Sequence, residues 1–191
     1  MELTSPSGLR AAFDERGTLL ALMAGDIAVN LFSGSPLEGG PANLVLRRHG
    51  DAVEATPLLG PHSPTRWRHE PAAQALEGAG EWHGLRYRVA FRLAAAAAAW
   101  FWQVQVENTG GETVRVDLLH LQDLALAPYS AVRMNEYYVS QYIDHTPLEH
   151  PHCGTPRQAV DLQRIGRVGD RAVQRTDHAP RMTPADRLVL P

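Results

Sequence analysis

The sequence contains no lysine and only one cysteine, and each shortage excludes a class of protein. All 18 cationic side chains among its 191 residues are arginines, scattered singly or in pairs, and the formal net charge is -3. Nucleic-acid binding is disfavoured, because it relies on a concentrated basic face that this chain lacks. The single cysteine, Cys153, cannot form an internal disulfide, so the chain is not a disulfide-stapled secreted domain.

Long apolar runs and cofactor motifs are also missing. The longest apolar run covers residues 93–102, which is too short to cross a bilayer, because a crossing takes about 20 apolar residues. The N-terminus has no basic segment followed by an apolar one, so nothing marks the protein as secreted. Glycine-rich phosphate loops, serine nucleophile elbows and dinucleotide fingerprints are absent. We therefore expect a soluble, cytoplasmic protein with no membrane partner and no cofactor.

Alternating apolar residues are the strongest pattern in the chain, and they lie between Leu85 and Ala127. In the first run, apolar side chains from Leu85 to Leu93 alternate mainly with arginines, which predicts a strand with one face in a core. Two further alternating runs follow, and Asn108-Thr109-Gly110-Gly111 between them is typical of a tight turn. The spacing therefore predicts a meander of three antiparallel strands over residues 85–93, 100–107 and 114–126.

Two irregularities interrupt this meander. The apolar phase changes at Leu118-Leu119, which indicates either a β-bulge or a strand buried on both faces. The alanine run from Ala94 to Ala99 has high helix propensity, but it is shorter than the roughly 12 residues that an isolated helix needs. We interpret this run as the end of a strand or a connection between strands, with a short helix as the alternative.

The N-terminal part of the chain repeats short strand-like segments and turns. The separators include the turn Asp14-Glu15-Arg16-Gly17, an exposed loop at Ser33–Pro41 and a proline-rich crossing loop. This rhythm predicts an all-β fold with little helix, arranged as a large antiparallel β-sandwich. We expect residues 1–191 to form a single domain with an irregular tail at 171–191. The strand-like ending Leu188-Val189-Leu190-Pro191 is also compatible with a fragment of a longer protein.

Beyond Pro128 the residue types change, and the candidate binding groups lie in this part. Residues 129–157 are dense in aromatic, amide, histidine and proline side chains with little alternation, which predicts a long ordered loop with short strand pieces. Aromatic rings stack on the apolar faces of sugars, while amides and carboxylates bind sugar hydroxyls. The candidate substrate-binding residues are Asn135, Glu136, Tyr137, Tyr138, Gln141, Tyr142, Asp144 and His145.

Two clusters of titratable residues have a chemical interpretation beside a structural one. Five zinc-compatible side chains lie within nine positions, but Pro147 and Pro151 deny them helical spacing, so we favour local hydrogen bonding over a metal site. Asp117 and Asp123 are candidate paired carboxylates, for which solvated surface positions are the alternative. The zinc-compatible residues are His145, Glu149, His150, His152 and Cys153.

Two stripes on the predicted strands also have alternative interpretations. The aromatic stripe at residues 100–102 is a candidate for sugar stacking, but two of its three rings fit the inward phase of a strand, which favours core packing. The arginine stripe of Arg86, Arg88 and Arg92 offers donors to phosphate or to an acidic partner. A solvated sheet face is the commoner arrangement for such a stripe.

These segments together resemble a known family. The turn Glu107–Gly111, the strand Val114–Leu126 and the run Asn135–Leu148, which reads NEYYVSQYIDHTPL, are similar to the N-terminal β-sandwich of the cellobiose phosphorylase and cyclic β-glucan synthase group, glycoside hydrolase family 94. The resemblance covers residues 10–165. It implies a large antiparallel super-sandwich of the galactose-mutarotase-like type. In family members an (α/α) barrel follows, and it holds the catalytic acid and the phosphate site.

This sequence departs from the family pattern because it contains no helices from which a barrel could be built. No catalytic residue therefore carries over. The resemblance implies a non-catalytic sandwich domain of a glucan-processing enzyme, whose partner is a catalytic barrel domain or a second copy in a homodimer, with an oligosaccharide as a further ligand. It also implies that the run from Asn135 to His145 reaches a sugar or the missing domain.

A second hypothesis belongs to a different class. A self-sufficient, mutarotase-like sugar epimerase would interconvert anomers with a histidine acid and a carboxylate base. The candidates are His120 or His145 paired with Glu136 or Asp144. An autonomous enzyme should close its sandwich, whereas this chain ends on an apolar strand-like tetrapeptide, so we favour the accessory domain.

Overall fold

The computed structural model describes residues 1–70, 74–139, 163–164, 167–168, 181–182 and 187–190. Strands dominate these residues. In chain order the elements are β1 (Glu2–Thr4), β2 (Leu9–Phe13), β3 (Leu19–Ala24), β4 (Ile27–Ala28), β5 (Ala42–His49), β6 (Val53–Pro57), β7 (Arg66–Glu70), β8 (Ala75–Trp82), β9 (Leu85–Leu93), β10 (Trp100–Asn108), β11 (Val114–Gln122), β12 (Ala127–Pro128), α1 (Tyr129–Val139), β13 (Gln163–Arg164), β14 (Arg167–Val168), β15 (Arg181–Met182) and β16 (Arg187–Leu190). None of the described helical residues forms a helix that is long and apolar enough to cross a membrane.

The strands assemble into three main antiparallel sheets. Sheet 1 has the order β1-β2-β3-β4-β12, sheet 2 has the order β16-β10-β9-β8-β7, and sheet 3 has the order β15-β11-β5-β6. The short strands β13 and β14 pair with each other. Sheets with one apolar face must bury that face against another layer. The architecture is therefore the all-β sandwich that the alternating segments predict, with one short helix.

In the described part of the chain, one large apolar cluster joins the three sheets. In β9 the residues Leu85, Tyr87, Val89, Phe91 and Leu93 are buried and the intervening residues face outward, as the period of two predicts. Sheet 1 contacts this layer through the Phe13 ring, whose centroid lies 4.9 Å from that of Phe91 in an edge-to-face arrangement. Leu44, Leu46 and Val116 of sheet 3 belong to the same cluster.

The predicted meander is wrong at its second turn. Strand β11 does not pair with β10 but crosses to sheet 3, where it pairs with β5. Asn108 is buried, its Nδ2 donates to the Glu112 carbonyl at 2.8 Å, and the Thr109 amide donates to the Gly84 carbonyl at 2.8 Å. These bonds hold the loop against the turn between β8 and β9, so the chain leaves the sheet instead of folding back along β10.

The phase change in β11 is not caused by a bulge in its pairing with β5. Its register with β5 runs unbroken from Arg115 opposite His49 to Gln122 opposite Ala42, so no bulge interrupts it. Leu118 and Leu119 point to opposite faces and both are half-buried. Burial on both faces is therefore limited to Leu118 and Leu119, because Leu121, which shares the new phase with Leu119, is 57% exposed.

One expected connection and one expected strand are also present. The alanine run joins β9 to β10, and the Ala94 amide donates to the Ala99 carbonyl at 2.8 Å. Leu188 to Leu190 near the end of the chain belong to β16, which pairs antiparallel with β10. These elements were predictable because each depends on a short, local pattern. The expectation of an irregular tail at 171–191 is therefore wrong for β15 and β16, the described residues of that segment.

The expectation of an irregular loop after Pro128 is wrong for its first residues. Tyr129–Val139 form α1, which is interrupted at Asn135, where φ is -142° and ψ is 46°. The helix buries Val132 against Ala28 and Ala125. A helix this short depends on tertiary packing, so its formation could not be inferred from a segment without apolar periodicity. The rest of the expected loop, residues 140–157, lies outside the described residues.

Candidate functional site

The described residues include only part of the predicted sugar-binding segment. Asn135 lies at the interruption of α1 with an exposed side chain, and Tyr138 is exposed near the end of the helix. The side chains of the other candidates, which are Glu136, Tyr137, Gln141, Tyr142, Asp144 and His145, lie outside the described part of the chain. The zinc-compatible cluster at residues 145–153 lies outside it too. Both remain predictions.

Helix α1 is anchored to the edge of sheet 1. Val132 is only 4% exposed and packs in a small apolar cluster with Ala28 of β4 and Ala125. The Tyr129 amide donates to the Asp26 carbonyl at 2.9 Å, which ties the start of the helix to the turn before β4. The anchored side of the helix therefore faces the sandwich. The exposed side chains of the helix include those of Arg133, Met134, Asn135 and Tyr138.

Large apolar side chains are exposed around this helix. Most of the exposed large apolar residues of the described chain lie in three nearby segments, namely the loop at residues 31–41, the end of β11 with the residues after it, and α1. Leu37 and Met134 are 86% and 80% exposed. We call this set the apolar surface, and it consists of Phe32, Leu37, Leu121, Leu126, Tyr129, Met134 and Tyr138.

Asp123 joins these segments. Its Oδ2 accepts hydrogen bonds from the amides of Leu31 at 2.7 Å and Phe32 at 3.1 Å, and its own amide donates to the Pro41 carbonyl at 2.6 Å. Both ends of the loop at residues 31–41 are thus tied to one residue, which lies between Leu121 and Leu126 in the chain. The suggested catalytic use of Asp123 finds no support in this geometry, because the carboxylate is engaged in holding the loop.

The same loop is also pinned against β3. Gly34 and Gly40 both pass so close to the Leu19 carbonyl that a Cβ on either would collide with it. The Gly34 amide donates to the Leu20 carbonyl at 2.9 Å, and the buried Asn30 accepts a hydrogen bond from the Leu22 amide at 2.7 Å. Such contacts fix the backbone that displays Phe32 and Leu37.

Leu126 is displayed from a strained backbone. Its φ is +51°, a left-handed conformation that bulky residues rarely adopt, and its side chain is more than half exposed. Both neighbours of Leu126 are held in place, since the Ala125 amide donates to the Val29 carbonyl at 2.7 Å and Ala127 pairs with Ala28. Strain that the surrounding structure maintains is concentrated at functional positions.

Asp117, the other candidate carboxylate, forms an ion pair on sheet 3. Arg47 donates from Nε to Oδ1 at 2.7 Å and from Nη2 to Oδ2 at 2.6 Å, and His49 Nε2 lies 3.1 Å from Oδ2. Burial by itself would raise the pKa of Asp117, but the hydrogen bonds and charges of Arg47 and His49 outweigh it and lower that pKa. The Asp117 carboxylate therefore stabilises the pairing of β5 with β11.

The two predicted stripes separate into core and solvent groups. Trp102 is buried and Trp100 is half-buried, which confirms core packing for these rings, whereas Phe101 is exposed. Arg86 Nε lies 3.0 Å from Glu81 Oε1, and Arg86 Nη1 lies 3.7 Å from Glu107 Oε2. Arg92 Nη2 lies 2.7 Å from Glu77 Oε1. The hydrogen bond from Arg86 to Glu81, with the charges of Glu107 and Glu81, raises the pKa of Arg86. The arginine stripe is thus a solvated face with alternating charges.

Comparison with known proteins gives two matches. The model of the family described as "SOGP N-terminal domain" matches residues 12–162. A 1,2-beta-oligoglucan phosphorylase of Listeria innocua is 34% identical over 144 residues, which is 74% of this chain. The chain spans only 12% of the length of that relative. The similarity to a glucan phosphorylase agrees with the resemblance expected from residues 107–148.

The apolar surface was not indicated by the sequence pattern. Its loop was expected to be exposed, but nothing in Ser33–Pro41 shows that Asp123, more than 80 positions later, closes it. Leu121 and Leu126 belong to a run whose alternation suggested strand burial. No local sequence pattern predicts that these side chains are exposed, because their surroundings depend on contacts between distant segments.

Proposed function

Since this chain belongs to the SOGP N-terminal domain family, we propose that it is a non-catalytic β-sandwich domain of a glucan-phosphorylase type of enzyme. Its role in this proposal is to pack against the catalytic part of that enzyme. The observation that carries the proposal is the apolar surface around α1. The share of the relative that the chain spans supports it, because 12% corresponds to one domain of a much longer protein.

The energetics of exposed apolar groups favour a protein partner for this surface. Contiguous exposed apolar patches on soluble proteins mark interaction sites more often than chance. Transfer of a large apolar side chain from water to an interior is worth about 1.5–3 kcal/mol. Here the groups are presented by a fixed loop and an anchored helix, so little additional ordering is required when a partner covers them.

The finer features of the proposal come from the family resemblance. The sandwich is taken as a galactose-mutarotase-like super-sandwich, and the partner as an (α/α) barrel, with a second copy of the chain as a further contact in a dimer. A cytoplasmic location is part of the same proposal, as is membership of the enzyme in glycoside hydrolase family 94. The two best placed carboxylates, Asp117 and Asp123, are engaged in structural bonds, which supports a non-catalytic domain.

Contact with an oligosaccharide is proposed for the segment from Asn135 to His145. The residue types of this segment suit sugar recognition. Tyr138 belongs to the apolar surface, and Asn135 is exposed on the same helix. A sugar held here would lie at the border between the sandwich and the covering catalytic part. Tyr138→Ala should then weaken substrate binding in the assembled enzyme more than it changes the stability of the sandwich.

Domain exchange tests the proposal. The 144 matched residues of the Listeria innocua phosphorylase would be replaced by those of this chain, and phosphate-dependent cleavage of a 1,2-β-oligoglucan would be measured. We expect the exchanged enzyme to be active and the isolated 191-residue chain to be inactive. Met134→Glu in the exchanged enzyme should lower activity and melting temperature together, because it places a charge in the covered surface.

The control for this experiment is Val53→Glu, which changes a half-exposed apolar residue outside the apolar surface. Equal effects of Met134→Glu and Val53→Glu would count against the surface as the contact. Polarimetry of the isolated chain with glucose and galactose addresses the epimerase alternative. Acceleration of anomer exchange that is lost in His120→Ala or Glu136→Gln would overturn the non-catalytic assignment.

A further inference from the structure

We propose a second binding site on this domain, an oligosaccharide-binding strip on the outer face of sheet 2. The strip follows β10 and uses Phe101, Gln103 and Gln105, with Arg88 from the neighbouring β9. It lies on a different sheet from the apolar surface and does not depend on the packing proposed above.

The strand geometry places these groups in a row. Phe101, Gln103, Gln105 and Glu107 alternate with buried residues of β10 and therefore share its outer face. At about 3.3 Å per residue, the row is roughly 20 Å long. Such a length suits an extended chain of several sugar rings rather than a single monosaccharide.

A shallow depression lies at one end of the row. It has a volume of about 160 Å³ and is lined by Arg86, Tyr87, Arg88, Gln105, Val106 and Glu107. Guanidinium, amide and carboxylate groups together supply donors and acceptors, which is the combination that sugar hydroxyls need.

Arg88 is the arginine of the stripe whose donors are available to a ligand. Arg86 and Arg92 pair with glutamates, whereas Arg88 forms no ion pair with any residue of the described chain. Its partners in register are Ala79 on one side and Gln105 on the other, and neither is a carboxylate. Five guanidinium donors thus face solvent beside the depression.

Phe101 provides the apolar contact at the other end of the row. The ring is half exposed, in contrast to Trp102, which is buried. Ala90 stands opposite Gln103 in register, and this small side chain leaves room above the sheet between Phe101 and the depression. An exposed ring followed by amides is the arrangement in which a sugar stacks at one end and is hydrogen-bonded along its length.

The charges of the depression favour a neutral ligand over phosphate. Glu107 lines the same depression as Arg86 and Arg88, so both signs of charge are present there. The Glu107 carboxylate would repel an anion that approaches Arg88, whereas hydroxyl groups can bond to both signs of charge. A neutral oligoglucan is therefore the ligand class that we assign to the strip.

Calorimetric titration of the 191-residue chain tests the site. The probes are a linear 1,2-β-oligoglucan, a 1,4-β-oligoglucan of similar length, and inorganic phosphate. We expect Phe101→Ala and Arg88→Ala each to raise the Kd for an oligoglucan by about five-fold or more. The matched controls Val53→Ala and Arg10→Ala, which alter exposed groups on sheets 3 and 1, should stay within about two-fold of the parent chain.

Three outcomes would overturn the proposal. The first is the absence of a heat signal with either oligoglucan at millimolar concentration. The second is binding that Tyr138→Ala weakens while Phe101→Ala and Arg88→Ala do not, which would place the sugar at α1. The third is binding of phosphate with no binding of oligoglucan. Unchanged melting temperatures for the two strip variants show that a change in Kd is local, and domain exchange tests the packing role separately.

Discussion

The apolar surface around α1 and the outer face of sheet 2 are both exposed, but they are built in opposite ways. Around α1, apolar side chains are presented on backbone that Asp123, close glycine contacts and the strained Leu126 hold in place. On sheet 2, arginines and glutamates from adjacent strands neutralise one another in water. The first face is suited to being covered by protein, and the second is suited to remaining in solvent, where it can meet a polar ligand.

The largest expected effect comes from removing the residue that organises the apolar surface. Asp123→Ala leaves the amides of Leu31 and Phe32 without their acceptor, and we expect a loss of about 2–4 kcal/mol in the free energy of unfolding. Urea denaturation of both proteins measures this difference in unfolding free energy. Asp123→Asn keeps one acceptor oxygen and should lose less, and the exposed Asp51→Ala should change stability by less than about 0.5 kcal/mol. Equal stability of Asp123→Ala and the parent chain would show that the loop is held by other contacts.

The next largest effect is expected in the pH dependence of stability. The half-buried pair of Asp117 and Arg47 should contribute to this dependence more than the exposed ion pairs do. The pKa of Asp117 is lowered in the folded chain, so its stabilising contribution is present above the unfolded-state pKa, which is about 3.9. That contribution is lost as the pH falls through the lower, folded-state pKa. Asp117→Asn should therefore lower stability at neutral pH by about 2 kcal/mol and flatten its decline between about pH 5 and pH 2.

The control for the acid experiment is Glu54→Gln. Glu54 lies 3.5 Å from Arg48 at an exposed position, so its removal should leave the acid limb nearly unchanged. Unfolding free energies at a series of pH values would decide the matter. Parallel pH profiles for the parent chain and Asp117→Asn would contradict the assignment of the lowered pKa to this pair.

A smaller and opposite effect is expected at Leu126. Glycine tolerates the left-handed conformation, whereas a bulky residue pays about 1–2 kcal/mol for it. After the greater flexibility of glycine in the unfolded chain is subtracted, Leu126→Gly should stabilise the isolated domain by about 0.5 kcal/mol. Leu126→Ala keeps the strain and should not stabilise it. If Leu126→Gly destabilises the isolated chain, the side chain contributes to folding and is not displayed for a partner.

The smallest effect is expected on the outer face of sheet 2. A double-mutant cycle of Glu77→Ala and Arg92→Ala should give a coupling of about 0.5 kcal/mol or less, because both side chains are well exposed. The coupling should fall further in about 1 M salt, where the charges are screened. A coupling above about 1 kcal/mol would show that this face contributes to stability as the Asp117 pair does.

The strands of sheet 2 were predictable and the partner of β11 was not, for a physical reason. The alternation in β9 and β10 records which side of each strand is apolar, and it requires only neighbouring residues. The turn after β10 carries the residue types of a hairpin, but the buried Asn108 and the bond from Thr109 to Gly84 direct the chain to another sheet. Turn composition indicates that the chain bends and does not indicate where it goes next.

For the candidate site too, some features were predictable from the sequence and others were not. The residue types around Asn135 and Tyr138 indicated a displayed segment, and both side chains are exposed. The helical conformation of that segment depends on the burial of Val132 against Ala28 and Ala125. Ala28 is distant in the sequence, and Ala125 lies in the irregular segment between β11 and β12. Asp123 was noticed as a carboxylate, but its role as the closure of a distant loop depends on contacts that no local pattern records.

The sequence by itself determined that this chain is an all-β sandwich, which faces of its central strands are buried, and which family it resembles. These features depend on local periodicity and on residue types in short runs. The tertiary structure decided that β11 joins β5, that α1 forms, and that Asp123 closes the loop at residues 31–41. Those features depend on contacts between segments far apart in the chain, whose energies a local pattern does not contain.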